Sequence, residues 1–359
     1  MKVLHCPTDT GGHAWGLSRA ERLLGVHSDV MVRRSSWLQF PSDVDLRLGE
    51  SALATGLFRL GRFFVQAIRN YDVFHFNWGM SMLDRRVWNL HYLDLPLLKR
   101  LGKRIVVTFQ GCDARIKTLS RKQFSTSACA ECDVAWCTPR MDGIRYKRIR
   151  KVFAYADKVF ALNPDLLHFL PGAEFLPYAS VNPVEWTALE SHSKRSGDVG
   201  PIRIIHMPTN RSIKGTKYVE QACAQLQAEG MSVELVLVEH VPHAQVKTLI
   251  AQADIVVDQL LIGWYGASAV EAMALGKPVL CYLRDDDLKR FVPFHDRIPI
   301  VRTTKETLVD DLRGLLRNVA QREEIGSAGH RFVEDWHDPL KIACHTIAAY
   351  GAERNMKNI

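Results

Sequence analysis

Short apolar and β-branched runs recur along the chain, each closed by a polar or glycine turn: Lys2 to Leu4, Val30 to Val32, Val73 to Phe76, Ile105 to Phe109, Val159 to Leu162, Ile202 to His206, Val233 to Val238, Asp254 to Asp258 and Pro278 to Tyr282. Such runs read as strands. Between them stand stretches of helical length and composition, among them Ala14 to Leu24, Lys217 to Glu229 and Ala244 to Gln252. After about Asp335, the segment Trp336 to Tyr350 reads as an amphipathic helix started by Pro339. Repeated strand and helix units specify parallel sheets covered on both faces. A polar break from Glu185 to Gly200 cuts the pattern into halves. The expected architecture is α/β, with two doubly wound, Rossmann-like parallel-sheet domains facing across a cleft. Residues 1–180 and 201–335 would form them, with 181–200 as linker.

Composition narrows the class. With 359 residues and 47% hydrophobic content, the chain can fill two cores of ordinary size. It has no charge-free apolar run of about 18 residues, so no bilayer-spanning helix is expected. The start, Met1-Lys2-Val3-Leu4-His5-Cys6-Pro7, is apolar for too few residues to be a secretory signal, which predicts a cytoplasmic protein. Eight cysteines in a reducing compartment read as thiols or metal ligands rather than a disulfide framework.

The net charge of +8 is carried by the first half, with 26 Lys+Arg against 16 Asp+Glu up to residue 180 and 21 against 23 beyond it. Much of it lies between Arg121 and Lys151, where Arg140, Arg145, Lys147, Arg148, Arg150 and Lys151 interleave with Tyr146, Ile149 and Phe153. Such a stretch suits an anionic membrane surface or a phosphate-bearing acceptor, and equally a solvated helix face. No nucleic-acid module accompanies the charge, so nucleic acid is not an expected partner.

Ligands of doubly wound sheets bind beyond the carboxyl ends of strands. Residues 263 to 278, from Gly263-Trp264-Tyr265-Gly266-Ala267-Ser268 to Gly276-Lys277-Pro278, combine a glycine turn, a helix start, the carboxylate of Glu271 and a helix stop. A glycine-opened helix offers its first amides to phosphate. Glu271, roughly two turns inside at about 1.5 Å of rise per residue, can accept from vicinal hydroxyls such as those of a ribose. Phosphate at the mouth and ribose further along describe a nucleotide.

The segment resembles the donor-binding motif of glycosyltransferase family 4, retaining enzymes of the GT-B fold. Glu271 and the Ala-Met-Ala to Gly-x-Pro-Val run ending at Val279 match, while Gly263 stands where the family has a first glutamate that contacts the transferred sugar. The resemblance implies a GT-B chain whose second domain binds a nucleotide diphosphate sugar. Its candidate donor contacts are Gly11, Gly12, Arg211, Lys214, Gly215, His240, Tyr265, Gly266, Ala267 and Glu271. Lys214 matches the lysine of the family's Lys-Gly pair; Thr209 occupies the family's arginine position, with Arg211 as a substitute. His13, at a helix mouth after Gly11-Gly12, is a candidate contact for phosphate or an acceptor hydroxyl, or else caps the turn. Gln110 replaces the histidine of a strand-end Thr-x-His-Gly, and with Asp113 completes the candidate catalytic set. An amide does no acid-base work near neutral pH but orients a hydroxyl. The family also implies catalysis without a metal and a final helix, 336–359, that crosses back to the first domain.

Outside the family pattern stand Cys129-x2-Cys132-x4-Cys137 and Cys112 upstream, in a basic insertion over 112–151. Four thiolates would complete a tetrahedral structural zinc site; unliganded thiols are the alternative. The expected activity is transfer of a hexose to an acceptor hydroxyl in polysaccharide or glycan assembly. The acceptor is a glycan or lipid-linked glycan, and the enzyme stands at the inner face of the membrane or free in the cytoplasm. Two alternatives use the same scaffold: an inactive nucleotide-sugar binding or partner subunit, and a sugar-nucleotide 2-epimerase.

Overall fold

The computed structural model describes residues 1–50, 52–84, 91–186 and 200–351. The remaining part of the expected linker, 187–199, and residues 352–359 of the expected final segment lie outside the described residues. The chain divides into two compact units.

The first unit takes residues 1–116 and 137–180 and the chain from Pro339 onward. Its strands are β1 (Lys2–Cys6), β2 (His27–Val32), β3 (Val44–Asp45), β4 (Val73–Asn77), β5 (Arg104–Phe109), β6 (Lys158–Ala161) and β7 (Glu174–Phe175). They form one parallel sheet in the order β3-β2-β1-β4-β5-β6-β7. All five residues of β4 are buried, as are five of the six in β5. A strand apolar on both faces has to lie inside a covered sheet. The helices α1 (His13–Leu23), α2 (Leu53–Asn70), α3 (Leu95–Arg100), α6 (Pro139–Tyr155) and α14 (Pro339–Ala349) belong to this unit.

The second unit takes 117–136 and 181–338. Strands β8 (Ile202–His206), β9 (Val233–Leu237), β10 (Ile255–Val257), β11 (Val279–Cys281) and β12 (Val301–Arg302) pair in parallel in the order β12-β11-β10-β8-β9. Its helices are α4 (Lys117–Gln123), α5 (Ala128–Glu131), α7 (Arg211–Lys214), α8 (Thr216–Ala228), α9 (His243–Ala251), α10 (Ala267–Ala274), α11 (Asp285–Phe291), α12 (Leu308–Arg317) and α13 (Val319–Trp336).

The segment 117–136 stands apart from the expected division, which kept 112–151 together in the first domain. The reason is local bonding to the second unit. Ala128 sits in that unit's hydrophobic core, its N–H donating to the Leu261 carbonyl at 2.7 Å. Glu131 accepts from the Tyr218 hydroxyl and pairs with Lys217 and Lys305. At the other end of the chain, α14 completes a buried polar cluster of the first unit. The Glu21 carboxylate accepts from His5 at 2.9 Å, Ser28 at 2.6 Å, Tyr350 at 2.8 Å and Thr346 at 3.2 Å. Tyr350 also bonds His75 Nδ1 at 2.7 Å, and His75 Nε2 bonds Thr108 at 2.7 Å.

Candidate functional site

In the second unit the loops that follow β8 and β10 meet around Lys214. Gly215, with φ +80°, ends α7 and begins α8, and an added Cβ there would lie 3.2 Å from Leu260 Cβ. Only a residue without a side chain makes that reversal at such close approach. The Lys214 carbonyl accepts from Leu260 N–H at 3.0 Å, so its backbone is tied to the end of β10. Its ammonium donates to Gln259 Oε1 at 2.6 Å and to Asp258 Oδ1 at 3.3 Å. Asp258, 4% exposed, also accepts from Gly266 N–H at 2.6 Å and the Ser268 hydroxyl at 3.0 Å. Helix α10 starts there, at Ala267, with Gly266 as N-cap and no side-chain cap. A Cβ on Gly266 would stand 3.0 Å from Lys214 Nζ. An ammonium at a helix mouth is a cradle for an anion, here with the Asp258 carboxylate as its present partner.

Glu271 lies in the second turn of α10, buried, with Oε1 accepting from His243 Nε2 at 2.6 Å. Trp186 lies beside that imidazole, ring centroids 5.8 Å apart. The sequence singles out Glu271, gives His243 only as the end of the stretch from Val238 expected to line the nucleotide base, and passes over Trp186. The signal for His243 was its place at the start of a helix after β9. Trp186 had none, being far away in sequence.

Several expected contacts are committed elsewhere. Arg211 is exposed and bonds Glu239 through Nε and one terminal nitrogen, and Glu220 through the other. Its charge is matched by two carboxylates, which makes it a surface ion-pair network. The Tyr265 ring is buried against Trp264, and its hydroxyl bonds His337 at 2.8 Å, so that side chain faces the core of the unit. His240 ends the β9 loop with φ +54°, a conformation few non-glycine residues adopt.

Gly263 has a physical reason for not being glutamate. It adopts φ +90°, and an added Cβ would lie 2.8 Å from the Arg284 guanidinium carbon. Arg284 packs 3.7 Å from the centre of the Phe124 ring and donates to the Thr126 carbonyl at 3.0 Å, the Ile262 carbonyl at 3.2 Å and Asp287 at 2.7 Å. A cation thus fills the space above the glycine.

In the first unit the strand ends carry a mostly neutral polar cluster. Gln110 donates from Nε2 to Asn77 Oδ1 at 3.3 Å, and its carbonyl accepts from Asn163 at 2.7 Å. Tyr178 bonds Asn163 at 2.6 Å. Asp113 accepts from the backbone N–H groups of Gln110, Gly111 and Ala114, and burial pushes its carboxyl above the usual range. Its oxygens hold the strand-end turn where a catalytic carboxylate was expected. Trp78 and Gly79 both adopt positive φ beside this turn, a local strain typical of ligand-facing loops.

His13 is the first residue of α1 and fully buried. Ala179 N–H donates to its Nδ1 at 3.1 Å, which places the ring proton on Nε2. Burial, with a smaller contribution from His5, lowers its pKa to about 3, so it is neutral near pH 7. Nε2 is buried and lacks a hydrogen-bond partner. An unsatisfied donor of this kind suits a ligand oxygen. Gly11 and Gly12 precede it with φ +66° and +70°, and the Asp9 carboxylate accepts from Ala14 N–H at 3.1 Å. The Asp9 carboxylate thus already occupies an amide of the first turn of α1.

The four cysteines of the expected zinc site divide between the two units. Cys112 and Cys137 belong to the first unit, where Arg145 donates to the Cys112 carbonyl at 3.0 Å and the Cys137 sulfur at 3.3 Å; Cys129 and Cys132 belong to the second. All eight are free thiols, and no group of three or more His, Cys, Asp or Glu side chains among the described residues is arranged to hold a metal ion. The basic run is likewise partly internal. Arg145 is buried with Asp142, and Arg148 with the Gly79 carbonyl and the Tyr92 ring, leaving Arg140, Lys147 and Arg150 exposed.

Residues 205–332 match the family model of glycosyl transferases group 1. Sucrose-phosphate synthase from Thermosynechococcus elongatus is similar in fold, with a TM-score of 0.66 at 14% identity over 98% of this chain and 99% of that one. HepE from Anabaena, solved in complex with UDP and glucose, gives 0.64 at 14% identity over 98% and 100%. A glycosyltransferase from Rickettsia africae gives 0.61 at 10% identity over 98% and 97%. No curated protein sequence matches the chain. Each unit has the parallel α/β sheet expected of a GT-B chain, and the solved structures cover both. Residues 205–332 thus resemble the glycosyl transferases group 1 model, and the chain as a whole has the GT-B fold of these solved structures.

Proposed function

We propose that the protein transfers a hexosyl group from a nucleoside diphosphate sugar to an acceptor hydroxyl, with retention at the anomeric carbon and without a metal, in glycan or polysaccharide assembly. The observation that carries this is the Lys214 ammonium held at Gly266 over the mouth of α10. That cradle receives the diphosphate, and the second oxygen of Glu271, whose first is held by His243, accepts from the ribose hydroxyls. The bond from the anomeric carbon to the β-phosphate oxygen breaks, and the diphosphate leaves with the electron pair. The acceptor oxygen bonds the same carbon from the vacated face and gives its proton to the departing phosphate. Charge grows on the diphosphate as this happens, and fixed amides and an ammonium aimed at it lower the barrier without reorganising. They supply the positive charge that a divalent cation supplies in metal-dependent transferases.

The first unit would position the acceptor through His13 Nε2 and the Asn77, Gln110 and Asn163 amides. A glycan on a lipid carrier at the cytoplasmic face of a membrane fits the basic first half. The HepE complexes with UDP, glucose and UDP-glucose support a sugar nucleotide donor.

A thermal-shift screen against nucleoside diphosphates and their sugars tests the donor, since a ligand that binds the folded state raises the melting temperature by mass action. Glu271→Ala should abolish the shift; unchanged nucleotide affinity in that variant would show the ribose to be misplaced. Turnover in EDTA, and an anomeric proton in the product matching the donor's, test the remaining terms. The commitment of Asp113 and Gln110 to internal bonds favours one second reading, a binding subunit without activity. Donor binding with no consumption on any acceptor would establish it.

A further inference from the structure

Helix α2 carries an outward face unlike that of an ordinary surface helix. Gly56, Leu60, Phe64 and Ala67 turn inward. Opposite them Phe58 is 70% exposed and Val65 49%, while Leu53, exposed at the helix start, lies in line with the inward residues. Arg59, Arg62 and Arg69 are exposed beside these, and the helix has no acidic residue from Leu53 to Asn70. Phe58, Arg62, Val65 and Arg69 recur at helical spacing, so apolar and cationic groups share one stripe. No helix among the described residues is long and apolar enough to cross a membrane.

We propose that the outer face of α2 is a membrane-binding surface, with the arginines on anionic lipid headgroups and Phe58 and Val65 in the acyl boundary. This rests on the membrane setting proposed above and moves its contact from α6, where Arg145 and Arg148 are turned inward, to α2. Apolar side chains among cations of one sign match an interface that is negative outside and apolar beneath. A second copy of the chain is a poorer occupant, because a two-fold pairing of α2 would set arginines against arginines. A purely electrostatic partner leaves Phe58 and Val65 in water.

Co-sedimentation of the full-length protein with phosphatidylcholine vesicles, with and without about a third phosphatidylglycerol, tests this. Binding is expected only to the anionic vesicles and should weaken with salt. Arg59→Gln/Arg62→Gln/Arg69→Gln should lower the partition coefficient about 100-fold, from about 5-fold per cation at the surface. Phe58→Ser/Val65→Ser should lower it about 10-fold or more with charge unchanged. Arg140→Gln/Lys147→Gln/Arg150→Gln should bind nearly as wild type. Far-ultraviolet circular dichroism and vesicle-free turnover on a soluble acceptor should be the same in all, so loss of donor chemistry is separable from loss of lipid binding. Wild-type partitioning by both α2 variants, loss confined to the α6 variant, or vesicle-independent dimerisation removed by Phe58→Ser/Val65→Ser would overturn the proposal.

Discussion

Restoring the family's first glutamate, as Gly263→Glu, should damage this protein rather than improve it. The Cβ alone would sit 2.8 Å from Arg284 Cζ and 2.9 Å from one of its terminal nitrogens, at a backbone φ of +90°. A side chain at positive φ costs about 1–2 kcal/mol. Displacing the guanidinium forfeits bonds to the Thr126 and Ile262 carbonyls, each worth about 1.5–3 kcal/mol net for a charged donor, and the Phe124 ring contact at about 0.5–2 kcal/mol. Since the side chain can keep part of these by tilting, a loss of about 4 kcal/mol is expected, a large share of a typical 5–15 kcal/mol. Most of it comes from the first carbon, so Gly263→Ala should lose nearly as much. Urea unfolding followed by tryptophan fluorescence measures both, and on an Arg284→Gly background, where those contacts are already gone, Gly263→Glu should cost only the roughly 1–2 kcal/mol of the positive φ. A Gly263→Glu protein within about 1 kcal/mol of wild type, or one with faster transfer, would refute the account of why glycine stands there.

Lys214→Met should weaken donor binding about 10- to 100-fold, the worth of a charged hydrogen bond to phosphate, as read by calorimetric titration. Tyr350→Phe removes the hydroxyl shared by Glu21 and His75, both fully buried, and should cost about 2–3 kcal/mol in denaturant. Asp94, buried, has its pKa raised to about 6 by desolvation. Its folded pKa exceeds the unfolded value of about 3.9, so the unfolded chain releases this proton first as pH rises, and stability falls between about pH 4 and 6 and levels off above. Asp94→Asn should flatten that fall by about 2 kcal/mol in unfolding measured at pH 4.5 and 7; an unchanged slope would show that Asp94 is not its source.

The strands were legible because their apolar, β-branched runs are bounded by turn residues; Ile202 to His206 matches β8 at both ends. The two-residue edge strands β3, β7 and β12 are too short to show a period. The places of Lys214 in a strand-end loop and of Glu271 inside a glycine-opened helix were legible because glycine turns and helix starts announce themselves locally. The allotment of 117–136 could not, since it depends on bonds from Ala128 to Leu261 and from Glu131 to Tyr218, far apart in sequence. Nor could the inward turn of Arg145 and Arg148, because a row of bases looks alike whether its partners are water or buried carbonyls and carboxylates.

The place of α14 bears on how the protein is made. Thr346 and Tyr350 reach Glu21, yet the ribosome synthesises them after the whole second unit. The domain translated first is therefore finished last, and a nascent chain stalled before Pro339 would present an ionisable interior without its closing helix to the chaperones waiting at the exit tunnel.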